Sequence, residues 1–248
     1  TPYDFLVWVL MRCSGEPGTT CFNTAYNATM WDYTCWKIGI TDYRVLVGGD
    51  DSLFWSKSGR HPGEVFTDLG FDLVLDDCDW TGLEFYSGMF WPVEPVWTPY
   101  GRTFLAHGPL VGRQLLTLGY AVDPFDERIK YMRGKYLSML ESAAHVPFLS
   151  ELMQMRLELL GSGSSSTFVN RHPILEHLCG PTSMAWKWFA ARYGLVQDVC
   201  MRALLTTKKE KGPVAWSNAV VAVILDRDLG VGEPDAEYLR LADEDLLW

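Results

Sequence analysis

Apolar and polar positions change rhythm along this chain. "YDFLVWVL", residues 3–10, is a dense apolar run with the character of a strand or a short buried helix. "CSGEPGTT" follows, punctuated by Gly15, Pro17 and Gly18, and reads as a loop. No breaker interrupts Thr19 to Trp36. A helix is expected there, with Cys21, Ala25, Ala28 and Trp31 on its packed face. "YRVLV" predicts a strand, Gly48 to Asp51 a tight turn, and "SLFW" a returning strand. The product is a β-hairpin with carboxylates at its tip. "SGRHPG" is a loop, Glu64 to Leu69 a short helix and "FDLVL" another strand, which "DDCD" ends in a charged bend. "LEFYSGMFW" and "RTFLA" are expected to form a further hairpin, with Pro92, Pro95 and Pro99 between them.

After about residue 108 the period becomes helical. "DERIKYMRGKYLSMLESAAH" places Ile129, Met132, Tyr136 and Met139 at helical spacing. Pro147 interrupts the pattern and "FLSELMQMRLELL" resumes it. "GSGSSST" is a low-complexity hinge or loop. "PTSMAWKWFAARYG" carries a capping threonine or serine at its start and Gly194 at its end. "LVQDVCMRALLTTKKEKG" predicts another helix, "WSNAVVAVILDRDLG" fits helix or strand, and "EPDAEYLRLADEDLLW" opens favourably for a helix. The pattern divides the chain into a mixed α/β part, 1–107, and a largely helical part, 108–248, an α+β class overall.

Composition narrows the function classes. The chain has 248 residues, is 48% hydrophobic and holds 11 tryptophans, which fits a folded protein whose tryptophans mostly pack in cores. No apolar stretch reaches the length of a membrane span, and no signal-like leader precedes Thr1. Without an initiator methionine, the sequence is expected to be a processed, truncated or excised piece. Six cysteines without a CxxC pair predict free, mostly buried thiols in a reducing compartment. A net charge of −10 argues against a broad nucleic-acid-coating surface. It is compatible with a narrow magnesium-assisted site, where acidic residues stand at the centre.

Asp50 and Asp51 supply such a centre. Adjacent carboxylates at a sharp turn repel each other, and a divalent cation offsets the repulsion. Magnesium takes oxygen ligands and retains phosphates and waters in its shell. Two-metal sites activate an attacking hydroxyl and stabilise a leaving phosphate. At a turn the two carboxylates need not point the same way, and Asp50 is the stronger ligand candidate. Gly-Asp turns are common, so "GDD" carries weight here because hydrophobic strands flank it and because of "SGEPGTTCFN" upstream.

Together these segments resemble the RNA-dependent RNA polymerases of positive-strand RNA viruses, in particular the alpha-like, hepatitis E-like replicases. Ser14–Gly15, Thr19 and Asn23 match the second palm motif, "GGDDSLF" is similar to the metal-binding third motif, and "LEFYSGMFWP" to the primer-grip hairpin. The resemblance is specific over residues 11–56 and weaker to about 92. It implies a partial right-hand palm with an antiparallel sheet, followed by a mostly helical thumb. By that resemblance Asp50 binds catalytic Mg2+ (Mn2+ in vitro) with Asp51 assisting. Ser14 and Gly15 belong to a loop beside the nascent base pair, and Thr19 and Asn23 recognise the ribonucleotide and its sugar hydroxyls. Ser52 and Arg102 are further nucleotide or RNA contacts. Hydroxyl and amide groups suit a 2′-OH, which both donates and accepts. The implied partners are RNA template and product, ribonucleoside triphosphates and other replication-complex proteins. The implied location is the host cytoplasm, at membrane-associated complexes through another domain or partner.

The departures define what else is needed. Only 13 residues precede Ser14, so the aspartate of the first palm motif and the basic fingers are expected on another segment or chain. Asp4 lies too close to the loop to fill that role. "ILDRD", with Asp226 and Asp228, does not match the first palm motif. No lysine lies between Lys57 and Lys130 to protonate the leaving group, and His61 receives no catalytic role. The alternative is a noncatalytic polymerase-like subunit for RNA binding or assembly. A different magnesium-dependent phosphotransferase fits the combined motifs less well. Asp76, Asp77 and Asp79 read as a solvated strand end, and Arg113 and Lys208, Lys209 and Lys211 as surface charge. His172, His177, Cys179 and Cys200 are too irregularly spaced for a zinc site.

Overall fold

A computed structural model describes residues 18–71, 73–98, 101–118, 128–165, 180–207 and 218–230. The chain is α+β, with small antiparallel sheets and eight helices among the described residues. It divides into two compact units, Thr1–Asp77 and Cys78–Trp248.

In the first unit, helix α1 (Thr19–Lys37) precedes a hairpin of β1 (Tyr43–Gly48) and β2 (Asp51–Ser56) and a short helix α2 (Gly63–Asp68). Strand alternation puts Tyr43, Val45 and Val47 on one face, opposite Ser56, Phe54 and Ser52. That face meets α1. Trp31 stacks on Phe54 at 4.6 Å and meets the edge of Phe66 at 4.8 Å, and Cys35 and Ile40 complete the core. Burial pushes the Cys35 thiol up to about 11, with Asp32 adding to the shift, which makes it a packing group. The buried face of α1 agrees with the expected one at Trp31 but not at its N-terminal half. Cys21 and Ala25 are exposed, whereas Trp31, Thr34 and Cys35 are buried. "FDLVL" forms no strand among its described residues, and Val74 is 86% exposed. "DDCD" is exposed irregular chain that leads into a turn at residues 80–82, where Asp79 Oδ1 accepts from the backbone N–H groups of Thr81 and Gly82.

In the second unit, β3 (Glu84–Phe85), β4 (Gly88–Thr98) and β5 (Gly101–Pro109) form an antiparallel meander. Helices α3 (Val111–Thr117), α4 (Arg128–Ala143), α5 (Leu149–Leu160), α6 (Ser183–Tyr193), α7 (Gln197–Thr207) and α8 (Ala219–Leu229) follow. Pro92 and Pro95 lie within β4 and not in the connection, because the pairing with β5 shifts register between Pro92 and Val96 and relieves the ladder of their missing N–H groups. Met89 and Trp91 enter the same core as Leu110, Phe148, Phe189 and Ile224. The change of pattern at residues 107 and 108 therefore marks a passage from strand to helix inside one unit, and the division between units falls at Asp77 and Cys78. Two helices end as their sequences demand. Thr182 and Asn218 cap α6 and α8 by accepting from Ala185 and Val220 N–H, and Gly194 and Gly230 close them in the left-handed region. Arg133 donates to the carbonyls of Leu160, Gly161 and Ser164, so the start of "GSGSSST" is a loop pinned to α4. Ile129, expected on the packed face of α4, is exposed.

Other expectations resolve in part. Trp31, Trp91 and Trp186 are core residues, but Trp36, Trp55, Trp80 and Trp97 are exposed. Of the four described cysteines, all free, Cys35 and Cys200 are buried while Cys21 and Cys78 are exposed. No helix among the described residues is long and apolar enough to cross a membrane.

His145, in the turn between α4 and α5, is buried, with its ring beside the backbone of Ala106 and His107. Burial pushes its imidazole down to about 4, an effect that the nearby backbone of His107 and Ala106 offsets only in part. The folded protein thus holds a neutral ring, while the unfolded chain takes up a proton near pH 6.5. Stability is expected to fall as pH drops from 6.5 towards 4, by about 3 kcal/mol over the whole window. Urea unfolding between pH 7 and 5 should show this slope in the wild type and its loss in His145→Leu. Equal slopes in the two proteins would refute it.

Candidate active site at the Gly49–Asp50 turn

Gly49 and Asp50 form a two-residue turn closed by the Gly48–Asp51 pair. Gly49 has φ +65°, a conformation that glycine adopts without a Cβ penalty. Asp50 follows without entering the left-handed region. The order Gly-Asp is therefore what this turn needs. Both carboxylates belong to exposed residues, while Gly49 is buried.

The burial of Gly49 comes from α1. Its N–H donates to Thr24 Oγ1 at 2.8 Å. Asn27 Nδ2 donates to the carbonyls of Gly49 at 3.2 Å and Asp50 at 3.1 Å. Trp31 Nε1 donates to Ser52 Oγ at 2.9 Å, and Ser52 Oγ donates to Asn27 Oδ1 at 3.2 Å. Thr24, Asn27 and Trp31 stand three and four residues apart on one helical face. Ser52 meets that face because alternation puts it on the same side of β2 as Phe54.

The sequence-derived residues distribute as follows. Asp50 and Asp51 are together at the turn, and Ser52 lies beneath it. Asn23 is one helical turn before Asn27 and Thr19 one turn before Asn23; both are half-buried on α1. Ser14 and Gly15 lie outside the described residues. Arg102 belongs to the second unit, on β5 opposite Trp97, with its guanidinium 5.2 Å from the Phe104 ring centroid. Asp228, in the same unit, is engaged by Arg192, Tyr193 and the Gly112 N–H. The motif-based reading missed Thr24 and Asn27. The signal was present, because both fall on the helical stripe that continues through Trp31 and Thr34.

Two neighbouring carboxylates on an anchored backbone can share a hard divalent cation, with water and phosphate oxygens as further ligands. Among the described residues no group of three His, Cys, Asp or Glu side chains is placed to hold a metal ion. Comparison of the chain with protein-family models, curated proteins and solved structures finds no match.

Proposed function

We propose that this chain is the palm and thumb portion of an RNA-directed RNA polymerase. The observation that carries the reading is the direct bonding between two segments distant in sequence. The helix that begins at Thr19 and carries Asn23 holds, through Thr24 and Asn27, the backbone of the carboxylate turn. Those are the two segments on which the resemblance to viral replicases rests.

In this reading Asp50 and Asp51 bind Mg2+, or Mn2+ in its place, which neutralises charge on the phosphates and favours the attacking hydroxyl. The 3′ hydroxyl of the growing RNA bonds to the incoming nucleotide, and pyrophosphate leaves. Ser14, Gly15, Thr19 and Asn23 surround the nascent pair and its sugar hydroxyls. Ser52 and Arg102 add RNA or nucleotide contacts, and the helices after residue 108 hold product duplex. A further segment or chain supplies the first palm motif and the basic fingers. Replication-complex proteins, and through them a membrane-associated site in the host cytoplasm, complete the setting.

The second reading, a noncatalytic RNA-binding or assembly subunit, draws on the absence of a third metal-ligating side chain at the turn among the described residues. The two part in one experiment. The chain, together with a segment bearing the first-motif aspartate and the fingers, is expected to extend RNA on a template only when Mg2+ or Mn2+ is present. A complete assembly that binds RNA yet incorporates no nucleotide would sink the polymerase reading and leave the scaffold.

A further inference from the structure

An antiparallel sheet with one wet face carries its large apolar side chains on the other. At its far end the β4–β5 hairpin reverses that order. Trp97 pairs with Arg102, and partners directly opposite share a face. Phe104, two residues on from Arg102, lies on the same face. Trp97 is 78% exposed, Phe104 is 57% exposed, and Arg102 is exposed as well. The neighbouring pair, Val96 and Thr103, belongs to the opposite face and is half-buried. There the Thr103 hydroxyl donates to the Leu105 carbonyl at 2.7 Å. Two rings and a cation thus stand on the wet side, while a threonine takes the more sheltered one.

Among the described residues neither ring stacks on another aromatic, and the Arg102 guanidinium makes no hydrogen bond or ion pair. Its Cζ lies 5.2 Å from the Phe104 ring centroid, the distance of a cation–π pair. That contact holds the guanidinium beside the ring and leaves its N–H donors available. Planar faces beside a cation fit a base and the phosphate next to it. A protein partner fits less well, because three side chains offer well under the roughly 800 Å2 that each partner gives to a stable interface. A strand held by charge alone also fits badly, since the chain carries a net charge of −10. Stacking does not depend on that charge.

We infer that Trp97 and Phe104 are a stacking platform for the unpaired bases of single-stranded RNA, with Arg102 taking an adjoining phosphate. The site lies within the second unit and needs neither a metal ion nor the Asp50 turn. The choice of RNA rests on the polymerase reading, in which Arg102 is an RNA contact; the two rings as base-stacking groups go beyond it.

The test is fluorescence anisotropy of an end-labelled oligouridylate of about ten nucleotides, titrated with the full chain. Trp97→Ala and Phe104→Ala are each expected to raise the dissociation constant about tenfold, with Trp97→Phe restoring most of the affinity because any ring can stack. Arg102→Ala should lower the slope of log affinity against log salt by about 0.7, the share of one phosphate on a single strand, and Arg102→Lys should keep it. Unchanged melting temperatures establish that each variant is folded. Iodouridine in the strand is expected to crosslink under ultraviolet light to Trp97 or Phe104, read by peptide mass spectrometry. If the wild type does not bind the strand, the inference falls. If Trp97→Ala and Phe104→Ala bind as the wild type does, it also falls, while RNA binding elsewhere on the chain and the polymerase reading stand. A dimer that becomes a monomer in Trp97→Ala, with RNA binding unchanged, would assign the face to a second copy of the chain instead. Loss of binding in the variants, beside a complete assembly that incorporates no nucleotide, would keep the platform and remove the polymerase.

Discussion

Asp50→Asn is expected to reduce templated RNA synthesis by roughly a thousandfold, about 4 kcal/mol of transition-state stabilisation, when assayed in the complete polymerase assembly. The substitution keeps the shape of the side chain and removes its charge. It leaves the main-chain carbonyl of residue 50 in place to accept from Asn27, so the turn itself persists. Residue 50 is exposed and its carboxylate repels that of Asp51, so stability should be unchanged or slightly raised. Asp51→Asn is expected to cost less activity. Asp51 opens β2, on the opposite side of the strand from Ser52, and in the proposed polymerase reading it only assists Asp50. Single-turnover incorporation at saturating nucleotide, beside urea unfolding of the same proteins, reads both effects. Retention of a tenth or more of wild-type synthesis in Asp50→Asn would remove Asp50 from the catalytic assignment.

The parts of this fold that can be read from sequence are those where local chemistry and packing agree. "YRVLV" alternates, Gly-Asp suits the turn, and the apolar alternation resumes at Leu53, so the hairpin and its carboxylate tip follow from the residues. Helices α6 and α8 likewise carry their own caps. Elsewhere tertiary context decides. "FDLVL" has the composition of a strand but no partner strand among the described residues, and β-propensity is largely a measure of fit to such a partner. Tyr86 and Ser87 both adopt positive φ in the β3–β4 turn, a site where glycine or asparagine is the usual signal. Their turn is held from outside, by Arg113 donating to Ser87 Oγ and by the Leu110 N–H donating to the Ser87 carbonyl. Such remote anchors leave no mark in the turn's own sequence. The site shows the same division. The carboxylates were legible as a motif, whereas the roles of Thr24, Asn27 and Ser52 depend on which face of α1 meets the hairpin.

Asp228→Ala is expected to lower stability by about 3–5 kcal/mol, because it breaks a buried ion pair from one side. The Asp228 side chain is 0% exposed and that of Arg192 1%. Asp228 accepts from Arg192 Nη2 at 2.8 Å, from Tyr193 OH at 2.9 Å and from the Gly112 N–H at 2.7 Å. Burial, with Asp228 adding, holds the Tyr193 phenol well above its usual range, so it remains a donor. After the substitution the carboxylate left to Arg192 among the described residues is Glu84, whose side chain is 46% exposed. Glu84→Gln should therefore be mild, since solvent already screens that pair. The melting temperature of Asp228→Ala should drop by roughly 10 °C. Arg192→Met combined with Asp228→Leu should recover part of the loss by leaving no buried charge, though the Gly112 N–H and the Tyr193 hydroxyl stay unpaired. A change below about 1 kcal/mol in Asp228→Ala would show that water reaches the cluster. The two aspartates thus make opposite demands on experiment. Asp50 is exposed, and its loss should remove activity at constant stability. Asp228, despite its tempting place after an apolar run, binds α3, α6 and α8 together, so its loss should act on stability and not on metal affinity at the turn.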